Sequence, residues 1–396
     1  MNPLSVSLAA IPKPKKLGRP DILVIAGEAS GDEHAAQMVE TLLKEHPEVS
    51  IYAFGGKNLR HSGAHFLYDL TQHSVMGFYE VLMRWHLLRK LFGAVIHWIV
   101  THRPRIVCFV DYPGFNLRIA KELFKRGLSH KGGGDIFLCD YISPQIWAWK
   151  AKRRFSMAMW LDYVAAIFPF EKQFFRDTLL PVSFVGHPLL TAKKDFGVFY
   201  DPEGSLLLLP GSRIVTARRM FPLMLETLQR LHLIFPKLPV AVLYADNLVL
   251  HELQAIASRY RDLRECLRFH SIEGGNIPCR ACLMTSGTMS LKCALMAIPG
   301  VIAYKIHPLT YLLAERLVKV RFIGMANILL DRKSVPEYIQ EAASPDVLCR
   351  EISECLQNPE RLINAQQDAH ALKKVLGVKP DISVSKWLYK SLENTF

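Results

Sequence analysis

Hydrophobic residues along the chain fall into short continuous runs that alternate with longer amphipathic stretches. The first run, Asp21–Ala26, is followed by a glycine-containing turn, Gly27–Asp32, and then by apolar residues at helical spacing. A strand, a turn and an amphipathic helix in this order are typical of a parallel α/β sheet. Similar runs follow at Ile51–Phe54, Ile106–Val110, Ile136–Tyr141, Tyr163–Phe168 and Val182–Val185. Helical stretches lie between most of them, which predicts a doubly wound domain.

A second series of strands and helices starts after Gly186-His187-Pro188 and a variable stretch. It opens with the run Ser205–Leu209 and the turn Pro210–Arg213, and further strands are predicted at Val240–Tyr244, Cys282–Thr285 and Val301–Tyr304. We therefore predict an α/β protein with two Rossmann-like doubly wound domains that face an interdomain cleft. The predicted parts are a leader or linker at 1–20, an N-terminal domain at 21–190, a C-terminal domain at 200–375, and a C-terminal helix at 376–396 that can return to the N-terminal domain.

The balance of charges narrows the class of partner. The 396 residues include 49 Lys and Arg against 36 Asp and Glu, a net charge of +13, and half of all residues are hydrophobic. Such a chain can bury a large core and is not disordered. Its basic charge favours an anionic partner, which could be nucleic acid, a phosphorylated substrate or an acidic membrane surface. The most apolar stretch, Leu87–Val100, is interrupted by charged residues, so no transmembrane helix is predicted.

Metal and dinucleotide sites are not indicated. The eight cysteines are scattered and mostly lie in apolar segments, which is typical of reduced thiols in a cytoplasmic protein. Cys279 and Cys282 have no second Cys or His pair at zinc spacing, so no metal site is expected. Gly27 and Gly31 do not complete the G-x-G-x-x-G pattern of dinucleotide-binding proteins.

Two turns at the ends of predicted strands are suited to binding phosphate. Ser212 and Arg213 follow one strand, and Ser286-Gly287-Thr288 follows another and opens a helix. The amino end of a helix offers N–H groups and a partial positive charge to an anion. For both turns, an ordinary capped strand-to-helix connection is the alternative.

Asp111 directly follows the predicted strand Ile106–Val110. A carboxylate at the carboxyl end of a parallel strand would face the cleft, where it could act as a general base. A helix-capping or turn aspartate is the alternative.

Trp147 and Trp149 are followed closely by basic residues, from Lys150 to Arg154. Stacking on nucleic acid, a sugar site and amphipathic packing are each compatible with this pattern. No motif of a nucleic-acid-binding fold accompanies it, so no nucleic-acid partner is predicted.

The stretch Val75–Phe92 carries apolar residues on two helical faces, although a surface helix needs only one. The second face consists of Tyr79, Met83, Leu87 and Leu91. It either packs inside the protein or meets a membrane, whose anionic headgroups would then meet Arg84, Arg89 and Lys90.

Together, these motifs resemble those of the lipid-A-disaccharide synthases, a GT-B glycosyltransferase family of Gram-negative bacteria. The resemblance covers most of the chain, and the order and spacing of its motifs are specific. They are Ala26-Gly27-Glu28-Ala29-Ser30-Gly31-Asp32, Val75-Met76-Gly77 with Glu80-Val81-Leu82, Asp111-Tyr112-Pro113 with Phe115-Asn116, Ser143-Pro144 with Trp147-Ala148-Trp149, Phe168-Pro169-Phe170-Glu171-Lys172, Gly186-His187-Pro188, Leu209-Pro210-Gly211-Ser212-Arg213, Ser286-Gly287-Thr288, and Asn327 with Pro336-Glu337 and Gln340.

The resemblance implies a GT-B fold and a reaction. UDP-2,3-diacylglucosamine would donate its sugar to 2,3-diacylglucosamine 1-phosphate, giving the β-1,6 lipid A disaccharide 1-phosphate and UDP. Both substrates are anionic and acylated, which would bring the basic chain to the inner face of the cytoplasmic membrane. No cofactor is implied, because UDP is part of the donor, and a homodimer stays an open alternative.

The resemblance also implies roles for single residues. Asp111 would take the proton of the acceptor 6-hydroxyl in an inverting displacement, Arg213 would stabilise the UDP leaving group, and Asn327 matches an active-site asparagine. Substrate contacts are expected from Glu28, Ser30, Gly31, Asp32, Ser212, Ser286, Gly287, Thr288, Lys292, Tyr304, Glu337 and Gln340. Membrane or acyl-chain contacts are expected from Val75, Met76, Tyr79, Met83 and Leu87.

Two positions depart from the family pattern. Gly114 stands where the family commonly has a second aspartate, which leaves Asp111 as the carboxylate of this motif. Lys292 stands where the family commonly has a glutamate that holds the nucleotide ribose. We expect Lys292 to contact the nucleotide through its charge instead.

Two other functions stay open at this point. A different GT-B enzyme acting on UDP-N-acetylglucosamine would share the cleft without needing two apolar helix faces. A non-enzymatic basic membrane-binding protein would not need Asp111 or Asn327.

Overall fold

The computed structural model describes residues 18–71, 85–148, 150–191, 196–272, 274–307, 311 and 321–393. These residues form two compact units, the first drawn from Met1–Ala192 and Val378–Phe396 and the second from Lys193–Gly377. Each unit has one parallel sheet with helices between its strands, so the expectation of two Rossmann-like domains is confirmed. Within the described residues, no helix is long and apolar enough to cross a membrane.

The first unit contains a seven-stranded sheet. Its strands are β1 (Ile22–Ala26), β2 (Ile51–Gly55), β3 (His65–Asp69), β4 (Ile106–Val110), β5 (Phe137–Tyr141), β6 (Tyr163–Ala166) and β7 (Val182–Phe184). Its helices before residue 192 are α1 (Ala29–Glu45), α2 (Lys57–His61), α3 (Trp85–His102), α4 (Pro113–Lys125), α5 (Arg153–Trp160) and α6 (Pro188–Thr191). The strand order is β3-β2-β1-β4-β5-β6-β7, so the direction of winding reverses between β1 and β4. Ligands of open α/β sheets bind at the carboxyl ends of the strands at such a reversal.

The second unit contains a six-stranded sheet in which β8 (Val198–Leu209) lies near the centre. The other strands are β9 (Val240–Tyr244), β10 (Leu267–Ser271), β11 (Ile277–Met284), β12 (Gly300–Tyr304) and β13 (Glu337–Ile339). The helices are α7 (Ile214–Ile234), α8 (Asn247–Ala257), α9 (Thr288–Leu295), α10 (Met325–Leu330), α11 (Pro345–Gln357) and α12 (Pro359–Leu376). The strand order is β10-β9-β8-β11-β12-β13.

Burial explains which strands could be predicted. Every residue of β1 and β4 is buried, because helices cover both faces of a parallel sheet, and such strands appear as continuous apolar runs. Three edge strands were missed: β3, β10 and β13 have half-buried or exposed residues at most positions. An edge strand is paired on one side only, so its sequence carries no uninterrupted apolar run.

The last helix of the described chain, α13 (Val384–Glu393), packs against the first unit. Trp387 is fully buried, with its ring 5.5 Å from that of Tyr163 on β6, and Tyr389 stacks on His46 at 3.5 Å. Just before the helix, Asp381 accepts a hydrogen bond from the backbone N–H of Phe184 at 2.9 Å.

The end of the predicted leader is anchored to the protein, in contrast to the loose segment expected. Arg19 pairs with the carboxylate of Asp135 at 2.8 Å and also donates to the carbonyl oxygen of Arg103. Its guanidinium therefore holds the chain beside the start of the sheet. Residues 1–17 lie outside the described residues.

Candidate active site

The turn after β1 lies against the turn after β4 in the first unit. Ala26 and Val110 are lateral neighbours at the ends of these strands. A Cβ atom built on Gly27 would lie 2.1 Å from the ring of Tyr112, and one on Gly31 would lie 3.1 Å from the Cβ atom of Asp111. A side chain at Gly27 would force the Tyr112 ring to move, and one at Gly31 would be tight against Asp111, which accounts for both glycines without a dinucleotide.

Asp111 is held in an unusual backbone conformation at the end of β4. Its φ angle is 51° and that of Tyr112 is 52°, both in the left-handed region. The N–H of Asp111 donates to the carbonyl oxygen of Tyr141 at 3.1 Å, and its carboxylate accepts the N–H of Tyr112 at 2.9 Å. Asn116 donates to the Asp111 carbonyl oxygen at 2.6 Å. Strained backbone that neighbouring contacts hold in place is a common feature of active sites.

Strain continues at the end of the adjacent strand β5. Ile142 has a φ angle of 65°, which is rare for a β-branched residue. Its N–H donates to the carbonyl oxygen of Ala165 on β6 at 3.2 Å. The carboxyl ends of β4 and β5 thus both turn sharply.

The glutamate and serine of the first turn remain accessible, whereas its aspartate does not. Glu28 and Ser30 are half-buried, and Gly31, which follows them in the chain, lies against Asp111. Asp32 is buried, and its carboxylate accepts N–H groups of Gly56, Asn58 and Leu59 at 2.6–3.2 Å. These contacts satisfy the amino end of α2, so Asp32 has a folding role, and its substrate contact stays a prediction.

Two buried carboxyl groups of the first unit were not among the residues predicted for the site. Asp140 lies on β5, directly beside Phe109 of β4. Burial raises its pKa well above the usual range, the charge of Asp111 raises it further, and Arg153 acts in the opposite direction. A charged residue inside the apolar run Ile136–Tyr141 was the signal that could have indicated it.

Glu171 is the second such group. Its carboxylate accepts the N–H groups of Ile167 and Phe168, each at 3.1 Å, and the indole N–H of Trp147 at 3.3 Å. Burial raises the pKa of Glu171 to about 7, against the opposing effect of these hydrogen bonds. Glu171 thus joins two of the sequence motifs described above, the one containing Trp147 and the one containing Phe168.

The two phosphate-suited turns of the second unit are adjacent. Thr285 follows β11, and its N–H donates to the carbonyl oxygen of Leu209 at the end of β8 at 3.0 Å. Gly211 has a φ angle of 110°, and a Cβ atom there would lie 2.7 Å from Thr216. Gly211 therefore needs to be glycine. Ser212 is exposed, and Arg213 is the N-cap residue of α7.

The second of these turns opens α9, for which Gly287 is the N-cap residue and Thr288 the first residue. Ser286 donates its hydroxyl to the carbonyl oxygen of Ile323 at 2.7 Å. Lys292 lies on the second turn of α9 and is half-buried. The amino ends of α7 and α9 thus lie beside each other at the carboxyl edge of the sheet.

Asn327 is fully buried and holds two segments together. Its amide NH₂ donates to the carbonyl oxygen of Val335 at 2.7 Å and to the carboxylate of Glu337 at 2.6 Å, and its oxygen accepts the N–H of Val335 at 2.7 Å. Glu337 also accepts the N–H groups of Ile323 and Gly324 at 2.8 Å. Asn327 and Glu337 therefore hold the backbone around Ile323, Gly324 and Val335 in position. A direct contact with substrate stays a prediction for both residues.

Tyr304 and Gln340 complete this edge of the second sheet. Burial raises the pKa of Tyr304, whereas Arg213 and Arg219 are near enough to oppose that shift. Gln340 has a φ angle of 54° and brackets Ile306, accepting its N–H at 2.7 Å and donating to its carbonyl oxygen at 3.2 Å. The structure thus brings Arg213, Ser286 and Tyr304 to neighbouring strand ends, with Gln340 beside them.

Most of the predicted membrane contacts lie outside the described residues. Val75, Met76, Tyr79 and Met83 belong to this group, and so does Arg84. The predicted membrane contact of Leu87 is wrong, because this side chain is half-buried and packs against the core of the first unit. Leu91, on the same face of the helix, is buried. At Leu87 and Leu91, the second apolar face of α3 therefore packs against the core of the first unit.

The two Rossmann-like units have the fold of the GT-B class. The chain is similar in fold to UDP-GlcNAc 2-epimerase from Neisseria meningitidis bound to UDP-GlcNAc, with a TM-score of 0.58 and 10% identity over 94% of this chain and 100% of that one. It is also similar to the glycotransferase of kitacinnamycin, with a TM-score of 0.57 and 12% identity over 95% of this chain and 99% of that one. At such low identity, the likeness concerns the fold.

Sequence similarity then defines the family. The lipid-A-disaccharide synthetase family profile matches residues 22–383. Lipid-A-disaccharide synthase 1 of Legionella pneumophila (strain Lens) is 38% identical over 361 residues, covering 87% of this chain and 90% of that protein. The lipid-A-disaccharide synthase of Geobacter sulfurreducens is 33% identical over 367 residues, covering 90% and 93%. The chain belongs to the lipid-A-disaccharide synthase family.

Proposed function

We propose that this glycosyltransferase joins UDP-2,3-diacylglucosamine to 2,3-diacylglucosamine 1-phosphate, forming the β-1,6 lipid A disaccharide 1-phosphate and UDP. Membership of the family supports the lipid A disaccharide step. The observation that carries the proposal further is the position of Asp111, on a left-handed turn against Gly31 at the reversal point of the first sheet.

In this proposal Asp111 is the general base. Its carboxylate accepts the proton of the acceptor 6-hydroxyl as that oxygen attacks the anomeric carbon of the donor, and the bond to UDP breaks on the opposite side. Such a displacement inverts the anomeric configuration. Glu28 and Ser30 are half-buried in the turn that carries Gly31, and in this proposal they bind hydroxyl groups of the acceptor sugar.

The second unit would hold the donor. The amino ends of α7 and α9 present backbone N–H groups and partial positive charge to the diphosphate of UDP. Arg213 adds a full positive charge where the leaving group gains negative charge. Asn327 and Glu337 keep the 323–335 segment in place next to Ser286. No cofactor is part of the proposal, because the donor already carries the leaving group.

The acylated substrates place the proposed reaction at the inner face of the cytoplasmic membrane. The net charge of +13 supports contact with anionic lipid. The apolar side chains proposed to enter the membrane are Val75, Met76, Tyr79 and Met83. Leu87 is left out because it packs against the protein core.

The test is a transfer assay with the full chain. Purified protein is incubated in mixed micelles with both proposed substrates, and UDP and disaccharide are measured together by mass spectrometry. We expect both products in equal amounts. Turnover of UDP-N-acetylglucosamine alone, without any disaccharide from the acylated pair, would instead support an epimerase-like enzyme and contradict the proposal.

A further inference from the structure

Aromatic side chains gather at the carboxyl edge of the first sheet, in the loops that follow two neighbouring strands. Trp147 lies in the loop after β5, and Phe168 and Phe170 follow β6. The ring of Phe168 lies 6.3 Å from that of Trp147 and stacks on that of Phe170 at 5.5 Å. The rings of Trp147 and Phe170 also meet edge to face at 5.5 Å. We call these three residues the aromatic wall.

The described residues cover only part of the aromatic wall. Phe168 is 2% exposed and forms its base, whereas Trp147 and Phe170 are half-buried. Trp147 stays partly exposed although its neighbours in the chain, Ile146 and Ala148, are buried. Large aromatic rings contribute most when their whole surface is removed from water. Two adjoining half-buried rings at the edge where α/β sheets bind ligands therefore indicate a place for an apolar group.

Glu171 holds the indole of Trp147 in position. Its Oε1 atom accepts the indole N–H at 3.3 Å. Its Oε2 atom accepts the backbone N–H groups of Ile167 and Phe168, each at 3.1 Å. An indole has a single hydrogen-bond donor and no acceptor, so the ring has no further polar group to offer. The aromatic wall is thus better suited to an aliphatic chain than to the hydroxyl groups of a sugar.

Backbone hydrogen bonds connect the loops of the aromatic wall to the turn that carries Asp111. The N–H of Asp111 donates to the carbonyl oxygen of Tyr141 at 3.1 Å, and the N–H of Ile142 donates to that of Ala165 at 3.2 Å. The ends of β4, β5 and β6 are therefore held side by side. Because neighbouring strands lie about 4.8 Å apart, the ends of β4 and β6 are roughly 10 Å apart. A hexose ring with the first carbons of an acyl chain spans a distance of this order.

We propose that the aromatic wall binds an acyl chain of the acceptor, and that Glu171 is the positioning residue that orients Trp147 for this contact. This inference rests on the proposed function, which places the acceptor hydroxyl at Asp111. The contact removes apolar surface of the chain, of Trp147 and of Phe170 from water. It therefore selects acylated acceptors over sugars that lack the chain.

Kinetics with two acceptors test the aromatic wall. Both are derivatives of glucosamine 1-phosphate, one with long acyl chains at positions 2 and 3 and the other with acetyl groups there. In Trp147→Ala we expect kcat/KM for the long-chain acceptor to fall about 10- to 100-fold, as for the loss of a large apolar contact. The value for the diacetyl acceptor should fall by less than about threefold, because an acetyl group is too short to cover the wall.

Phe137→Ala is the matched control. It removes a half-buried aromatic ring from the start of β5, at the opposite edge of the same sheet. Any loss that comes from lower stability alone should appear in this variant, and it should be equal for both acceptors. Equal losses with both acceptors in Trp147→Ala, or no loss with either, would overturn the proposed contact.

Glu171→Gln tests the positioning role. The glutamine oxygen can still accept the N–H groups of Ile167 and Phe168, but its NH₂ group then meets the indole N–H, donor against donor. We expect kcat/KM for the long-chain acceptor to fall about tenfold, with little change for the diacetyl acceptor. Trp147→Phe removes the same N–H, so adding Glu171→Gln to it should lower the value by less than about twofold more. Independent, additive losses would show that Glu171 does not act through Trp147.

Quenching of tryptophan fluorescence gives a readout that needs no turnover. A long-chain acceptor with brominated acyl chains should quench emission from the wild type that Trp147→Phe lacks. If this quenching is seen although no disaccharide forms, the wall is supported and the proposed function fails. If disaccharide forms and both proteins are quenched equally, the function is supported and the wall is wrong.

The same readout distinguishes the acceptor from membrane lipid, which carries the same kind of chain. If brominated phosphatidylglycerol vesicles quench Trp147 without acceptor, and brominated acceptor adds nothing, the wall meets the membrane and the acceptor contact is wrong. Quenching of Trp147 by the acceptor in micelles of unbrominated detergent, with none from the vesicles, is the expected result.

Discussion

A methyl group on Gly31 would lie 3.1 Å from the Cβ atom of Asp111. The first turn of α1 therefore forms one wall beside the proposed base. Gly27 approaches Tyr112 even more closely, so the β1–α1 turn and the β4–α4 turn pack tightly against each other at both glycines.

Gly27→Ala should reduce turnover about tenfold or more while most of the stability is kept. The added methyl would lie 2.1 Å from the Tyr112 ring, so the ring must move. Because Tyr112 follows Asp111 in the chain, this movement would displace Asp111 as well. A misplacement of about 1 Å near the reacting groups can cost about 100-fold in rate. Steady-state kinetics and thermal melts measure the two effects.

Gly114→Ala is the control for this change, because a Cβ atom there would meet nothing within 4 Å. A double variant, Gly27→Ala with Tyr112→Leu, should recover part of the activity by removing the ring. Full activity in Gly27→Ala alone would show that the position of this turn is unimportant.

Asn327→Ala should lower the free energy of unfolding by about 3 kcal/mol. The change leaves both backbone groups of Val335 and part of Glu337 without their partner inside the protein, and each buried unpaired group costs about 1–3 kcal/mol. Asn358→Ala in the same unit removes a half-buried N-cap residue and should cost about 1 kcal/mol. Denaturant unfolding decides between the roles: lost activity at unchanged stability would make Asn327 a direct catalytic residue.

Glu171→Gln should change how stability depends on pH. The pKa of Glu171 is about 7 when folded and near 4.5 when unfolded, so the folded state binds more protons between these values. The contribution of Glu171 is therefore fully present below pH 4.5 and is lost as the pH rises through 7, by about 3 kcal/mol. Urea unfolding at pH 5 and pH 8 should show this fall in the wild type and a smaller fall in Glu171→Gln. The same fall in both proteins would contradict the role of Glu171.

Lys292→Ala should weaken UDP binding about 10- to 100-fold, and less as salt is added. Lysine can donate to the diphosphate or to a ribose oxygen, but it cannot accept hydrogen bonds from the ribose hydroxyls. Lys373→Ala, an exposed lysine on α12, is the control. Titration calorimetry at low salt measures the effect, and equal dissociation constants would place Lys292 outside the nucleotide site.

The central strands could be predicted because burial on both faces makes them continuous apolar runs. The edge strand Glu337–Ile339 could not, since its residues are half-buried and Glu337 is polar. Helical spacing likewise placed Leu87 and Leu91 on one face, but only tertiary packing shows that the sheet covers this face.

The candidate site also combines residues that the local sequence indicates with residues that only tertiary contacts bring together. Asp111 could be predicted as a candidate base because its position after a strand is a local property of the sequence. Other interactions join residues from separate elements, so no spacing rule in the sequence indicates them. Examples are the contact between Asn327 and Glu337 and the interaction of Asp140 with Arg153. The resemblance predicts Asn327 as an active-site residue, and the structure adds the contacts of its amide with Val335 and Glu337.

The most direct test of the account is the turnover of Asp111→Asn with both proposed substrates. General-base catalysis typically contributes about 10²- to 10⁴-fold, so kcat should fall by that factor while the dissociation constant for UDP stays within about twofold. Asp135→Asn, an exposed aspartate of the same unit that pairs with Arg19, should keep full turnover. A loss of less than about threefold in Asp111→Asn would contradict the account, because Asp111 would then be a turn residue and the base would lie elsewhere.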